Sequence, residues 1–85
     1  MENNLESLMD TTLDMLLKFD SKQQDINYLN SYEGHMGFLR KQNIMVKVIP
    51  IDLFEYALIF DKNGHEISRR YFDYVCEREA VRGYD

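Results

Sequence analysis

The sequence predicts a small α+β domain in which an antiparallel sheet of three or four strands is packed by an N-terminal and a C-terminal helix. Three observations favour this class. Ile44 to Ile67 holds two apolar runs rich in β-branched and aromatic residues, then a short third run. Near the N-terminus, apolar residues recur instead at spacings of three and four. With 85 residues, 45% of them hydrophobic, the chain is expected to form one domain.

The first element is predicted to be a helix over roughly residues 4–19. Asn3 and Glu6 have the spacing of a capping box. The apolar residues that follow at helical spacing are Leu5, Leu8, Met9, Leu13, Leu16, Leu17 and Phe19. With Met15, the apolar arc covers roughly 200° of the helix, whereas packing on one sheet needs only about 100°. We therefore expect a second contact surface for this helix, either within the fold or on a partner.

A second helix is predicted to follow a break at Asp20-Ser21, which also supplies its cap. Ile26, Leu29 and Tyr32 have helical spacing, and Gly34 is a stop signal.

Residues 35–43 fit two structures. Met36, Phe38 and Arg40 alternate as in a strand that pairs with 44–49, and they also fit an extension of the preceding helix. Because glycine at positions 34 and 37 disfavours a helix, we predict a strand here.

The sheet is predicted most directly by the second apolar run. Pro50 ends the strand before it, at a position suited to an edge or a corner. Asn63-Gly64 tolerates the positive φ angles of a tight hairpin, so the chain is expected to reverse there. The second run has the period of two that is typical of a strand with one buried face. Its alternating faces are Phe54, Tyr56, Leu58 and Phe60 against Glu55, Ala57 and Ile59.

The last element is predicted to be a helix over residues 69–82, capped by Ser68 and ended at Gly83. Its inner stripe would include Val75 and Cys76. As an alternative, the third strand continues through residues 68–71 and the helix begins later.

The segment FDKNGHEIS, residues 60–68, resembles part of an EF-hand calcium loop, and FDSKQQDIN, residues 19–27, has the same form. The EF-hand loop requires Gly at position 6 and Glu at position 12. Counted from Asp61, these positions hold Glu66 and Phe72. The resemblance therefore predicts no calcium site, and it leaves an all-α, degenerate EF-hand-like helix pair as the alternative fold.

The negative charge is concentrated at the N-terminus. The first 33 residues hold seven acidic residues and two lysines, which accounts for the whole net charge of −5. Glu6, Asp10 and Asp14 follow one another at i, i+4 along one edge of the first helix. This row fits a solvated face or salt bridges within the protein. As a third interpretation, the carboxylates lie about 6 Å apart, a spacing comparable with that of successive phosphates on a nucleic-acid strand. Such a row could occupy the basic groove of a nucleic-acid-binding enzyme.

No catalytic or cofactor motif is recognised in the sequence, so we predict no enzyme activity, cofactor or metal. Cys76, His35 and His65 have no repeated spacing of the kind that a zinc site or an activated thiol needs. Cys76 is predicted to be buried as a small hydrophobic residue, and His65 to lie on the surface beside the hairpin turn.

Tyrosines supply candidate partner contacts. Tyr28 and Tyr32 are predicted to share one helical face, and Tyr71 and Tyr74 another. Tyrosine is enriched at protein interfaces because it gives a large contact area at low rotamer cost.

Together these observations predict a non-catalytic acidic regulator or inhibitor of a larger protein, of the kind encoded by phages and mobile elements. It would dock through the acidic row and exposed tyrosines. With a single cysteine and no signal peptide or membrane span, a cytoplasmic location is expected. The alternative is a homodimer or larger assembly held by the first helix. Direct nucleic-acid binding is disfavoured by the net charge; it would use Arg40, Lys41, Lys47, Arg69 and Arg70.

Overall fold

The fold is given by a computed structural model that describes residues 2–81. It is an α+β structure in which the three strands follow one another in space as they do in the chain, with the second strand central. No helix in the described range is both long and apolar enough to cross a membrane. In chain order the elements are α1 (Glu2–Lys18), a 3₁₀ turn (Asp20–Lys22), α2 (Ile26–Lys41), β1 (Ile44–Pro50), β2 (Glu55–Lys62), β3 (His65–Asp73) and α3 (Tyr74–Val81).

The β2–β3 hairpin turns at Asn63-Gly64, as predicted. The two residues have φ angles of 55° and 82°, which glycine adopts freely and asparagine tolerates. Lys62 and His65 face each other across this turn. The all-α alternative is wrong, because the segment that resembles an EF-hand loop forms this hairpin.

The core lies between one face of the sheet and the helices. Leu58 and Phe60 of β2 point to this side and are fully buried. Burying one such side chain contributes about 1.5–3 kcal/mol. The side chains that pack with them are Met9, Leu13, Leu17, Leu39, Ile44 and Phe72. The wide apolar arc of α1 is explained within the fold, because α1 contacts the sheet and α3 and is also joined to α2.

Residues 35–41 are helical, so the predicted strand is wrong, and within residues 2–81 the sheet has three strands. The α2 helix continues through Gly34 and Gly37 because its other side chains gain tertiary contacts. Leu39 is buried and Met36 packs against the core, which offsets the roughly 1 kcal/mol that each glycine costs. The cap also differs from the prediction: Asp25, not Asp20-Ser21, accepts a 3.0 Å hydrogen bond from the Tyr28 N–H.

The strand β3 extends to Asp73, so the predicted helix over 69–82 begins too early and its cap at Ser68 is wrong. Ser68 lies opposite Phe60 in the sheet, whereas Asp73 caps α3 by accepting the N–H groups of Val75 and Cys76. Cys76 is exposed, contrary to the buried position predicted for it. The predicted stop at Gly83 lies outside the described residues.

The second face of the sheet is not covered by a helix within the described chain. Ala57 and Ile59 point to it from the central strand and are nevertheless buried, since the side chains of both neighbouring strands crowd around them. Met45, Ile49 and Tyr71 lie on the same face and are exposed. We call this surface the open face.

Candidate protein-binding surface

The acidic row on α1 is partly neutralised within the chain. Asp10 forms an ion pair with Arg70 of β3, and the Asp14 carboxylate lies 3.1 Å from Nζ of Lys18. Glu6 is exposed. The i, i+4 spacing therefore does place three carboxylates along one helix edge, but two of them already have cationic partners.

Two of the predicted contact tyrosines hold helices together. The hydroxyl of Tyr28 donates to the backbone carbonyl of Met15 on α1. Tyr32 packs on Phe19 with ring centroids 4.9 Å apart, and its ring lies 6.0 Å from that of Tyr28. Burial raises the pKa of Tyr28, and the neighbouring Tyr32 and Asp14 act in the same direction. Both rings are half-buried and serve the α1–α2 junction.

Tyr71 and Tyr74 do not share a helical face, because Tyr71 belongs to β3 and only Tyr74 belongs to α3. The Tyr74 ring lies 5.6 Å from that of Tyr56, and its hydroxyl accepts a hydrogen bond from Arg78. Tyr71 is 55% exposed on the open face. Of the four predicted tyrosines, it is the one that presents most of its surface to a partner.

Exposed apolar side chains that the sequence did not predict lie at the same end of the sheet as Tyr71. Leu53 is 81% exposed and Phe54 is 56% exposed in the connection between β1 and β2. In the sheet, Ile49 and Tyr71 lie on either side of Ala57. Contiguous exposed apolar surface is a mark of protein-binding sites. We define the loop patch as Ile49, Ile51, Leu53, Phe54 and Tyr71.

The loop patch is held in one shape by backbone hydrogen bonds. Oδ1 of Asp52 accepts the N–H groups of Phe54 and Glu55, at 3.1 and 2.9 Å. The Ile51 N–H donates to the Glu55 carbonyl at 2.7 Å, and the Tyr74 N–H donates to the Phe54 carbonyl at 3.2 Å. A loop fixed in this way loses little further conformational entropy when a partner binds.

Four carboxylates lie around the loop patch, and we call them the acidic rim. Glu55 and Asp73 face each other directly across β2 and β3. Like charges in that position are destabilising. Phe54 and Tyr71 line one shallow pocket together with all four rim residues, which are Asp52, Glu55, Asp73 and Glu77.

The middle of the open face is electrostatically balanced, unlike the rim. Lys47 lies 3.0 Å from Asp61, and Arg69 makes two hydrogen bonds to Glu66, at 2.9 and 2.8 Å. The hydrogen bonds from Arg69 lower the pKa of Glu66. The guanidinium of Arg69 also lies 5.9 Å from the centre of the Tyr71 ring.

Most of the cations considered for nucleic-acid binding have acidic partners. Besides the two pairs on the open face, Arg70 pairs with Asp10, and Arg40 lies 4.0 Å from Glu33. Lys41 is exposed at the end of α2.

The residues considered for chemistry are widely separated. Nε2 of His35 lies 2.7 Å from Oγ1 of Thr12 in the α1–α2 junction. His65 is exposed beside the hairpin turn, where it was predicted, and Cys76 is exposed on α3. Within residues 2–81, no three His, Cys, Asp or Glu side chains are grouped as metal ligands.

The sequence did not predict the exposure of Leu53 or Phe54, because Phe54 fits the alternation of the second strand and Leu53 has no distinguishing pattern. Phe54 was predicted to lie in the second strand, on the same face as Tyr56, Leu58 and Phe60, but β2 begins at Glu55. The position of Pro50 could have predicted this exposure. The strand β1 ends at Pro50, and the apolar residues that follow it are not paired in the sheet. Comparison with protein-family models, curated proteins and solved structures finds no match for this chain.

Proposed function

We propose that this protein is a non-catalytic acidic regulator that docks on a larger protein through the loop patch. The observation that carries the proposal is the exposure of Tyr71 on β3 together with that of Leu53 and Phe54, whose loop is held by hydrogen bonds to the Asp52 side chain. Exposing large apolar side chains costs solvation free energy in the free protein. A partner that covers them recovers it without having to order the loop.

The acidic rim defines the chemistry of the partner. Glu55 and Asp73 repel each other in the free protein, and lysine or arginine side chains of a partner would relieve that repulsion. The surface that fits is therefore an apolar centre bordered by cations. A basic surface of this kind on a nucleic-acid-binding enzyme is the specific form of the proposal, and inhibition would follow from covering it.

The test is an affinity pull-down from lysate, with the tagged wild type beside a Leu53→Ser/Phe54→Ser variant. Ile26→Ser is the matched control, because Ile26 is 67% exposed on α2 and lies outside the loop patch. We expect one defined protein to be captured by the wild type and the control and lost by the double variant. Truncating central apolar contacts of an interface typically costs about 2 kcal/mol or more. Loss with the Ile26 variant as well would contradict the proposal.

The acidic row on α1 can be tested in the same experiment with a Glu6→Gln/Asp10→Asn/Asp14→Asn variant. Because Asp10 and Asp14 have partners within the chain, we expect this variant to retain more binding than the loop-patch variant. Rising salt should weaken capture through the rim carboxylates. If every bait recovers only untagged copies of itself, the homo-oligomer hypothesis replaces the regulator hypothesis.

A further inference from the structure

The strand β1 is one edge of the sheet, since within residues 2–81 only β2 pairs with it. Its outward backbone groups can be assigned from the hairpin that joins the two strands. The Ile51 N–H donates to the Glu55 carbonyl, and bonded residues alternate along an antiparallel strand. Lys47 and Ile49 therefore bond to β2. The N–H and C=O groups that point away from the sheet belong to the alternate residues Ile44, Val46 and Val48.

The β1 edge lacks the protection that soluble proteins usually give to an edge strand. Charged side chains on such a strand normally discourage pairing with another chain. Along β1 the only charged residue is Lys47, and Met45 and Val48 are 60% and 43% exposed. The opposite edge of the sheet is β3, whose last five residues include the charged residues Arg69, Arg70 and Asp73. The edge that is open to pairing is therefore β1.

The outward groups of β1 are symmetric about Val46, so a second copy of the same strand can use all of them. In an antiparallel pair with Val46 opposite Val46, Ile44 of each copy lies opposite Val48 of the other. Each of these bonded pairs exchanges two hydrogen bonds. Between the bonded pairs, Met45 lies opposite Lys47 of the other copy. No like charges are opposed in this register, whereas a shift of the centre to Lys47 would oppose two lysines.

Pairing in this register also covers an apolar groove. The groove lies between β1 and α2, encloses about 390 Å³ and is lined on its strand side by Val46 and Val48 and on its helical side by Leu16 and Met36. The two-fold axis of an antiparallel strand pair is perpendicular to the sheet, so both copies keep their helices on the same face. The two grooves are then adjacent across the axis, and the apolar side chains that line them lose contact with water.

We propose that a second copy of this chain occupies the β1 edge, and that the three strands of each copy join into one continuous sheet of a symmetric dimer. Main-chain hydrogen bonds at the outward residues of β1 and burial of the two grooves hold the copies together. Because the same strand satisfies both sides of the pairing, the assembly closes after two copies. Leu53, Phe54 and Tyr71 lie outside the paired residues, so this inference does not rest on the proposed function.

The first test is analytical ultracentrifugation of the full chain, which should sediment with twice the mass of one copy. Met45→Lys should raise the dissociation constant of the dimer about tenfold, because each introduced lysine lies directly opposite Lys47 of the other copy. Within one copy, position 45 lies opposite Asp61, so the charge is compatible with the fold. The matched control is Ile67→Lys, since Ile67 is 39% exposed on the far edge strand, and it should leave the dissociation constant unchanged.

The second test determines the register by disulfide cross-linking in a Cys76→Ser background. Met45 and Lys47 of the other copy form a non-hydrogen-bonded pair, whose Cα atoms lie about 4.5 Å apart. That separation is within the range that a disulfide spans. A mixture of Met45→Cys and Lys47→Cys chains should therefore cross-link when treated with oxidised glutathione, and neither variant should cross-link alone. If Met45→Lys fails to fold, the cross-linking result decides.

Four results would overturn the inference. A chain that stays monomeric up to about 1 mM would leave the edge free for a segment of a different protein. Assemblies that grow beyond two copies would mean that β1 pairs with β3 of the next copy. A dimer that Met45→Lys does not weaken would place the interface elsewhere, for example on α1. Cross-linking of the Lys47→Cys chain with itself would place the two-fold axis at Lys47 and exclude the register centred on Val46.

Discussion

The Thr12 hydroxyl lies 2.7 Å from Nε2 of His35, and this contact ties α1 to α2. Thr12 is fully buried, and its hydroxyl also lies 2.7 Å from the Leu8 carbonyl oxygen. A carbonyl can only accept, so the hydroxyl proton goes to Leu8. The imidazole must then donate its Nε2–H to Thr12, which fixes the neutral tautomer of His35.

Replacing Thr12 with valine should destabilise the protein, because it leaves the half-buried Nε2–H of His35 without its acceptor. We expect a loss of about 1–3 kcal/mol in the free energy of unfolding, measured by urea denaturation. Thr11→Val is the control, since Thr11 is the exposed neighbour and surface changes stay within about 0.5 kcal/mol. Equal stability of the two variants would mean that the Thr12–His35 bond contributes nothing.

Stability should fall as the pH is lowered below 6.5. Burial lowers the pKa of His35 from its usual 6.5. Between that value and the lower folded pKa, the unfolded chain binds a proton at this imidazole and the folded chain does not. The unfolded state is then favoured by at most about 1.4 kcal/mol per pH unit.

The pH effect can be isolated with His35→Gln, which keeps an N–H donor but does not titrate. Urea denaturation of both proteins at several values between pH 7.5 and pH 5 would be compared. The wild type should lose stability relative to the variant across this range. Parallel curves would show that His35 does not cause the dependence.

The same substitution should have opposite effects at two glycines. A Cβ added at Gly34 or at Gly64 meets no atom within 4 Å, so only the backbone conformation differs. Gly34 is helical, and Gly34→Ala should stabilise the protein by about 0.5–1 kcal/mol. Gly64 has φ of 82°, where a Cβ is strained, and Gly64→Ala should cost about 1–2 kcal/mol. Thermal unfolding would reveal the two signs, and a neutral Gly64 variant would contradict the turn assignment.

Asp52 should control the rigidity of the loop patch through its geometry rather than its charge. Asp52→Ala removes the acceptor of the Phe54 and Glu55 N–H groups, so these two amides should exchange faster with solvent. Asp52→Asn keeps a side-chain oxygen in place and should leave their exchange near the wild-type rate. NMR-detected hydrogen exchange measures both without a partner. If the alanine variant exchanges no faster, other contacts hold the loop.

The sequence predicted best those features that neighbouring residues determine. The turn at Asn63-Gly64 and the alternation of faces along β2 needed no knowledge of distant contacts, whereas the prediction of one buried face did not include the burial of Ala57 and Ile59 on the other. The helical conformation of residues 35–41, by contrast, depends on distant contacts, because Leu39 and Met36 gain their burial from α1 and β1. The low helix propensity of Gly34 and Gly37 favoured a strand in this segment, and that prediction was wrong.

The extent of β3 was uncertain for a similar reason. Arg69, Arg70 and Tyr71 fit a helix by composition, but each pairs with a residue of β2, and that pairing decides their conformation. Among the predicted partner-binding residues, Tyr71 was expected on a helix, but it lies on β3. The loop patch escaped prediction because the exposure of Leu53 follows from where the ladder stops, with β1 ending at Pro50 and β2 beginning at Glu55.

The junction between α1 and α2 has a consequence for synthesis on the ribosome. The helix α1 has an apolar arc too wide for one sheet, and it leaves the ribosome before the three strands of this sheet. The next element to emerge is α2, which brings Tyr28 and His35 to the Met15 carbonyl and to Thr12. A nascent helical hairpin can thus shield part of the arc early, while the meander of β1 to β3, whose partners are adjacent in sequence, forms quickly afterwards. We expect the interval in which α1 is exposed to aggregation to be short for this order of elements.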